Sequence, residues 1–160
     1  MSTTYAQFKV GTLTYSGPID FENFYNHLHG WLTNKRYKIT EHSFKEDQRK
    51  QEVSFNWVAS KGITDEITFE IKTKFNVTSI KPHAGRWIAN IKAVVNADIE
   101  FESYNPINSD IIMSFIRRAI GKYIHIGAYD DWRGLLHKEA GEFYNEIAAV
   151  LELHKRAINA

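Results

Sequence analysis

The sequence predicts a two-layer α+β domain: a long-stranded, twisted antiparallel sheet of about five strands, in the order β-α-β-β-β-β-α-α, packed on one face by helices. Two patterns predict it. Stretches 63–77 and 87–101 alternate apolar and polar residues at a period of two, far beyond the usual strand of five or six residues. Stretches 21–34, 111–123 and 136–154 instead repeat their apolar residues at helical spacing.

Residues 5–15 form the first expected strand, with Phe8 and Val10 on one face and Leu13 and Tyr15 on the other. Gly11 stands where the alternation changes face, a place for a β-bulge. Ser16-Gly17-Pro18 has turn chemistry. Asp20 is then a helix N-cap. Phe21, Phe24, Tyr25, Leu28, Trp31 and Leu32 follow as an aromatic stripe on a helix from about 21 to 34. Lys35 and Arg36 suit the C-terminal end of that helix.

Residues 37–45 alternate weakly, as an edge strand does, and 46–50 make a polar turn. Val53, Phe55, Trp57 and Ala59 alternate with polar neighbours in a half-buried strand, and Ser60-Lys61-Gly62 is the next turn. Ile63, Ile67, Phe69, Ile71, Phe75 and Val77 then occupy odd positions. Lys81-Pro82-His83-Ala84-Gly85 makes a loop. From Trp87 to Phe101 the alternation is unbroken, a span of roughly 50 Å. The opposite face, from Glu66 through Lys72 and Lys74 to Asp98 and Glu100, carries both signs. That suits cross-strand pairing on a wet surface.

Pro106 and Asn108-Ser109 stop the sheet and cap a helix whose stripe runs from Ile111 to Tyr123. Gly127 to Gly134 is expected as a loop containing Asp130, Asp131, Trp132 and Arg133. The last helix carries Leu136, Ala140, Phe143, Ile147, Val150 or Leu151, and His154 on one face, widened by Tyr144 and Ala148.

Composition narrows the function classes. The 160 residues suit one domain, with 43% hydrophobic and 14% aromatic residues available for a core. Twenty Lys plus Arg against 19 Asp plus Glu give a net charge of +1, so long-range attraction to nucleic acid or anionic membrane is weak. With no Cys there is no disulfide, thiolate metal site or Cys nucleophile. The N-terminus lacks an apolar signal core and no window is apolar enough to span a bilayer. The expectation is a soluble protein, cytoplasmic or virion-associated.

No motif forces a chemistry. His27 and His29 are two apart on a helix and diverge, and no HExxH pattern occurs. His137 with Glu139, or Glu142 with Glu146, needs partners from other elements to hold a metal. There is no GxSxG elbow, and the glycines are scattered singles that build no phosphate loop. Asp130-Asp131 beside Trp132-Arg133 fits an ion-paired turn better than a sugar or phosphate site. Basic clusters at 35–38, 49–50 and 117–118 fit helix ends and turns, because a nucleic-acid groove has one sign of charge. No catalytic, cofactor-binding or metal-binding residue is expected.

The order of strand, helix, four strands and two helices resembles helix-grip domains of the START and polyketide-cyclase kind. That resemblance implies a cavity for a lipid or other apolar molecule, with Ala89, Ala93 and Ala97 leaving room against Phe69, Phe75 and Trp87. The preferred expectation is instead a non-enzymatic structural subunit, of a homo-oligomer or a larger assembly such as a virion neck or tail. It would meet protein partners through the long hairpin and a helix face. Lys81, His83 and Arg86 at the hairpin tip, and Trp132 and Arg133 as hot-spot residue types, are the interaction candidates.

Overall fold

A computed structural model describes residues 2–63, 67–83, 86–102 and 126–159. The elements are β1 (Ser2–Ile19), α1 (Phe21–Asn34), β2 (Lys38–Asp47), β3 (Glu52–Gly62), β4 (Ile67–His83), β5 (Arg86–Glu102) and α2 (Ile126–Asn159). The expected helix over 111–123 and its cap lie outside the described residues. The strands form one antiparallel sheet in the order β1-β5-β4-β3-β2, so the fold is α+β as expected. β4 and β5 have 17 residues each, roughly 55 Å of strand.

Odd positions of β3 and β5, and of β4 as far as Val77, face the helices. Trp57, Phe69, Ile71, Phe75, Ala93, Val95 and Ala97 are all buried there. Ala93 sits between Leu13 and Phe75, and Ala97 between Phe8 and Ile71. The small residues therefore interdigitate with large cross-strand neighbours.

β1 has the bulge expected near Gly11 and departs from its expected pattern in two ways. Its pairing to β5 shifts register between Lys9 and Gly11, which leaves Val10 as the extra residue. The bulge returns Leu13 and Tyr15 to the same face as Phe8, and all three pack against the core. At Gly11 an added Cβ would lie 2.9 Å from the Tyr144 ring, so the position admits no side chain without displacing α2's aromatic. The second departure is at Ser16-Gly17-Pro18, where the strand continues to Ile19 opposite Trp87. β1 is an edge strand, where a proline's missing N–H breaks no ladder bond. Gly17 supplies a φ of 151°, which a residue with a side chain would resist.

α1 is capped as the sequence predicts, with Asp20 Oδ1 accepting from the Asn23 N–H at 3.2 Å. It buries Phe24, Leu28 and Leu32, with Phe24 edge-on to Phe75. α2 buries Leu136, Ala140, Phe143, Ile147, Val150 and Leu151, the expected stripe. Trp31 of α1 packs on Phe143 at 5.6 Å, and His137 stacks on Phe8 at 5.0 Å. Three carboxylates of α2 are engaged. Glu139 accepts from the Tyr37 hydroxyl and from Lys61 Nζ at 2.9 Å, Glu142 pairs with Lys35, and Glu146 lies 2.6 Å from His27. Burial and the nearby Glu139 carboxylate push the Tyr37 phenol far above its ordinary pKa.

The expected loop from Gly127 to Gly134 is not a loop: α2 runs through it as part of a helix of 34 residues. Each glycine costs a helix only about 1 kcal/mol, no proline interrupts, and packing from Leu136 onward holds the rest. A Cβ at Gly134 would meet open space, so no turn or close approach requires that glycine.

Candidate functional site

The hairpin of β4 and β5 carries the feature that stands out in charge. Between Ile71 and Ala97 the chain has no Asp or Glu, yet it has Lys72, Lys74, Lys81, Arg86 and Lys92, with His83 among them. Register decides where they point. Along β5, Arg86, Ile88, Asn90, Lys92 and Val94 alternate onto the face away from the helices. Lys74 pairs with Val94 and joins that face.

Lys81 and His83 have odd numbers and would point to the helices if β4 were regular. Between Thr78 and Lys81, however, β4 carries one extra residue, and Ser79 adopts a φ of 54°. Past this bulge Lys81 lies opposite Ile88 and His83 opposite Arg86. The irregularity therefore gathers Lys74, Lys81, His83, Arg86 and Lys92 on one face, and all five are exposed.

A groove of about 1540 Å³ crosses the same face. Its floor is a row with one residue from each strand: Thr14, Lys92, Asn76, Ser54 and Lys45. Ser16 donates to Asn90 at 2.6 Å beside it. The turn between β2 and β3 closes one side, where Asp47 Oδ1 accepts from the Arg49 and Lys50 N–H groups. All the acids in the lining, Glu46, Asp47 and Glu52, belong to this wall.

At the opposite end of that face Glu70, Asp98 and Glu100 place carboxylate oxygens within 4.8 Å of one another. The wet surface expected there is dry: Asp98 is 0% and Glu100 9% exposed. β5 lies between two neighbours, so Asp98 is flanked by Gln7 and Glu70 and loses water on both sides. Lys72 Nζ lies 2.6 Å from Asp98 Oδ2 and 3.7 Å from Glu70. That contact holds the Lys72 ammonium above its ordinary pKa. Desolvation, then Glu100, raises the Glu70 carboxyl above its usual value.

The helix side of the hairpin end is different. A cleft of about 500 Å³ is bordered by Arg86, Trp87, Leu153 and His154, with Asp20 and Asn23 from the start of α1. Trp87 is 47% exposed and Leu153 62% exposed.

Of the residues singled out from sequence, Lys81, His83 and Arg86 come together at the hairpin end. Ala84 and Gly85 of the expected loop lie outside the described residues, and 81–83 are strand. The hairpin is not a free ribbon, because β1 accompanies β5 to Trp87. Trp132 and Arg133 lie in α2 instead of a loop. Arg133 is exposed but about 30 Å along the helix from Leu153, so it does not join the hairpin surface. Sequence reading passed over Lys74, Lys92, Trp87 and Leu153. The acid-free run from 71 to 97 was the available signal for the first two.

No protein-family model matches the chain, and no curated protein matches it. Among solved structures it is similar to a TBP-like protein from Parabacteroides distasonis, at 19% identity and a TM-score of 0.21 over 64% of each chain. The chain thus spans 64% of that protein's length. It is also similar to an uncharacterized protein from Rhizobium leguminosarum, at 8% identity and a TM-score of 0.26, over 95% of this chain and 98% of the other. Neither likeness is close enough to carry a functional argument. Among the described residues no helix is long and apolar enough to cross a membrane.

Proposed function

We propose that the protein is a non-enzymatic assembly subunit, of a homo-oligomer or a larger particle such as a virion neck or tail, and that it meets a second copy through the hairpin end. One observation carries the reading. Trp87 and Leu153, both largely exposed, flank the cleft that Arg86 also borders. Trp and Arg are the residue types that dominate interface energetics, and a half-exposed Trp is a substantial apolar surface to leave in water.

The test is the solution mass by light scattering over a concentration series, with wild type beside Trp87→Ser/Leu153→Ser. Both side chains are exposed, so the double variant keeps its fold. The expected result is a discrete oligomer for wild type and a monomer for the variant. A wild type that stays monomeric at every concentration, or an oligomer that survives the double change, overturns the proposal.

A further inference from the structure

We propose that the helix-free face of the β4–β5 hairpin, with the groove beside it, docks an acidic segment of a partner protein. The inference rests on reading the hairpin as an interaction element, but it uses the face opposite to Trp87 and Leu153. The bulge at Ser79 sets the geometry of this face. A non-glycine residue at φ 54° is strained by about 1 kcal/mol or more, and what the strain secures is the placement of Lys81 and His83 beside Arg86. Lys74, Lys81, Arg86 and Lys92 then form a single-signed file with no acid on either strand between Ile71 and Ala97. In a protein of net charge +1, that is a local concentration of charge, and its complement is a run of carboxylates or phosphates.

Two observations favour a protein over a nucleic acid. Asn76, Asn90, Thr14, Ser16 and Ser54 in and beside the groove floor offer amides and hydroxyls suited to a peptide backbone, whereas the two rings in the lining, Tyr15 and Phe44, stand opposite Ile91 and Phe55 on the helix side of their strands and leave the floor row without a stacking platform for a base. The facing wall carries Glu46, Asp47 and Glu52 beside Arg49, a mixed-sign surface that a uniformly charged phosphate backbone does not match. A protein segment can present both signs and place its own cation against that wall.

The experiment uses the full chain and fluorescence anisotropy with three labelled probes: a Glu/Asp-rich peptide, a short DNA duplex, and phosphatidylserine-containing vesicles. The peptide is expected to bind most tightly, and to weaken about tenfold or more as salt rises from about 20 to about 150 mM. Lys74→Gln/Lys81→Gln/Arg86→Gln/Lys92→Gln, changed only at exposed positions, should lose about tenfold or more in affinity. Deletion of Ser79 removes the extra residue yet leaves Lys81 opposite Ile88 and His83 opposite Arg86 on the same face, so it should bind the peptide as wild type does. Trp87→Ser/Leu153→Ser should bind the peptide as wild type does, which separates this inference from the oligomer reading. No peptide binding at low salt, tighter binding of duplex or vesicles, or full binding by the quadruple variant overturns it.

Discussion

Replacing Lys72 by Met removes the cation from a cluster of three carboxylates while keeping the length of the side chain. The Lys72 ammonium lies 2.6 Å from Asp98 Oδ2, and the Asp98 side chain is only 1% exposed. At an effective dielectric constant near 20 that separation corresponds to about 6 kcal/mol of gross attraction. The lysine is 41% exposed, however, so solvent already screens the pair and regains little on its removal. What remains is the cost of a buried Asp98 facing Glu70 and Glu100 without its partner, about 2–3 kcal/mol at pH 7. Urea unfolding of Lys72→Met, Asp98→Asn and the double variant measures it. Asp98→Asn alone should cost under about 1 kcal/mol, because relief of carboxylate repulsion offsets the lost pair, and adding it to Lys72→Met should recover most of the deficit. The pH dependence has a definite sign. Glu70 has its folded pKa raised above the ordinary 4.5, so its contribution is fully present below 4.5 and is lost as pH rises through the folded value. Without Lys72 that loss grows, so the deficit of Lys72→Met should shrink as pH falls from 7 towards 4.5. A deficit below about 0.5 kcal/mol, or one independent of pH, refutes the reasoning.

Two further variants probe how the helices are fixed to the sheet. Glu139→Ala leaves the buried Tyr37 hydroxyl without its acceptor and Lys61 without its carboxylate, and should cost about 2–3 kcal/mol by chemical denaturation. An unchanged midpoint would mean that water replaces the carboxylate freely. Gly11→Val drives a branched side chain into the Tyr144 ring, already 2.9 Å from an added Cβ, and should cost about 2 kcal/mol. If Gly11→Val/Tyr144→Ala is no more stable than the sum of its single changes implies, the clash is not the cause.

The parts of the fold legible in sequence are those where one residue's neighbours decide its state. Asp20 caps because a short acceptor precedes an apolar helical stripe, and the stripes of α1 and the last helix report burial directly. The 63–77 and 87–101 alternations gave long strands for the same reason. Misjudged positions were those where tertiary context outvotes local chemistry. Pro18 and Gly17 have turn character, but an unpaired strand edge tolerates both. Gly127 and Gly134 have loop character, but a packed helix carries them. The candidate site was half legible. Lys81, His83 and Arg86 were found from their place near a turn, whereas their union with Lys74 and Lys92 depends on an extra residue near Ser79 that no alternation pattern reveals.

Both margins of the sheet are irregular: β1 is bulged at two points and carries Pro18 beside its last residue, and β2 is bulged at His42. The bulges divide each margin into shorter runs, so an approaching strand cannot zip along the whole of either edge in one register. Sideways growth, the route by which sheets polymerise without limit, is disfavoured at both ends of the strand order. Contacts made through strand ends and faces instead obey the symmetry of the surfaces that touch: a self-complementary surface closes as a pair, and a head-to-tail one closes only where its rotation returns to the first subunit.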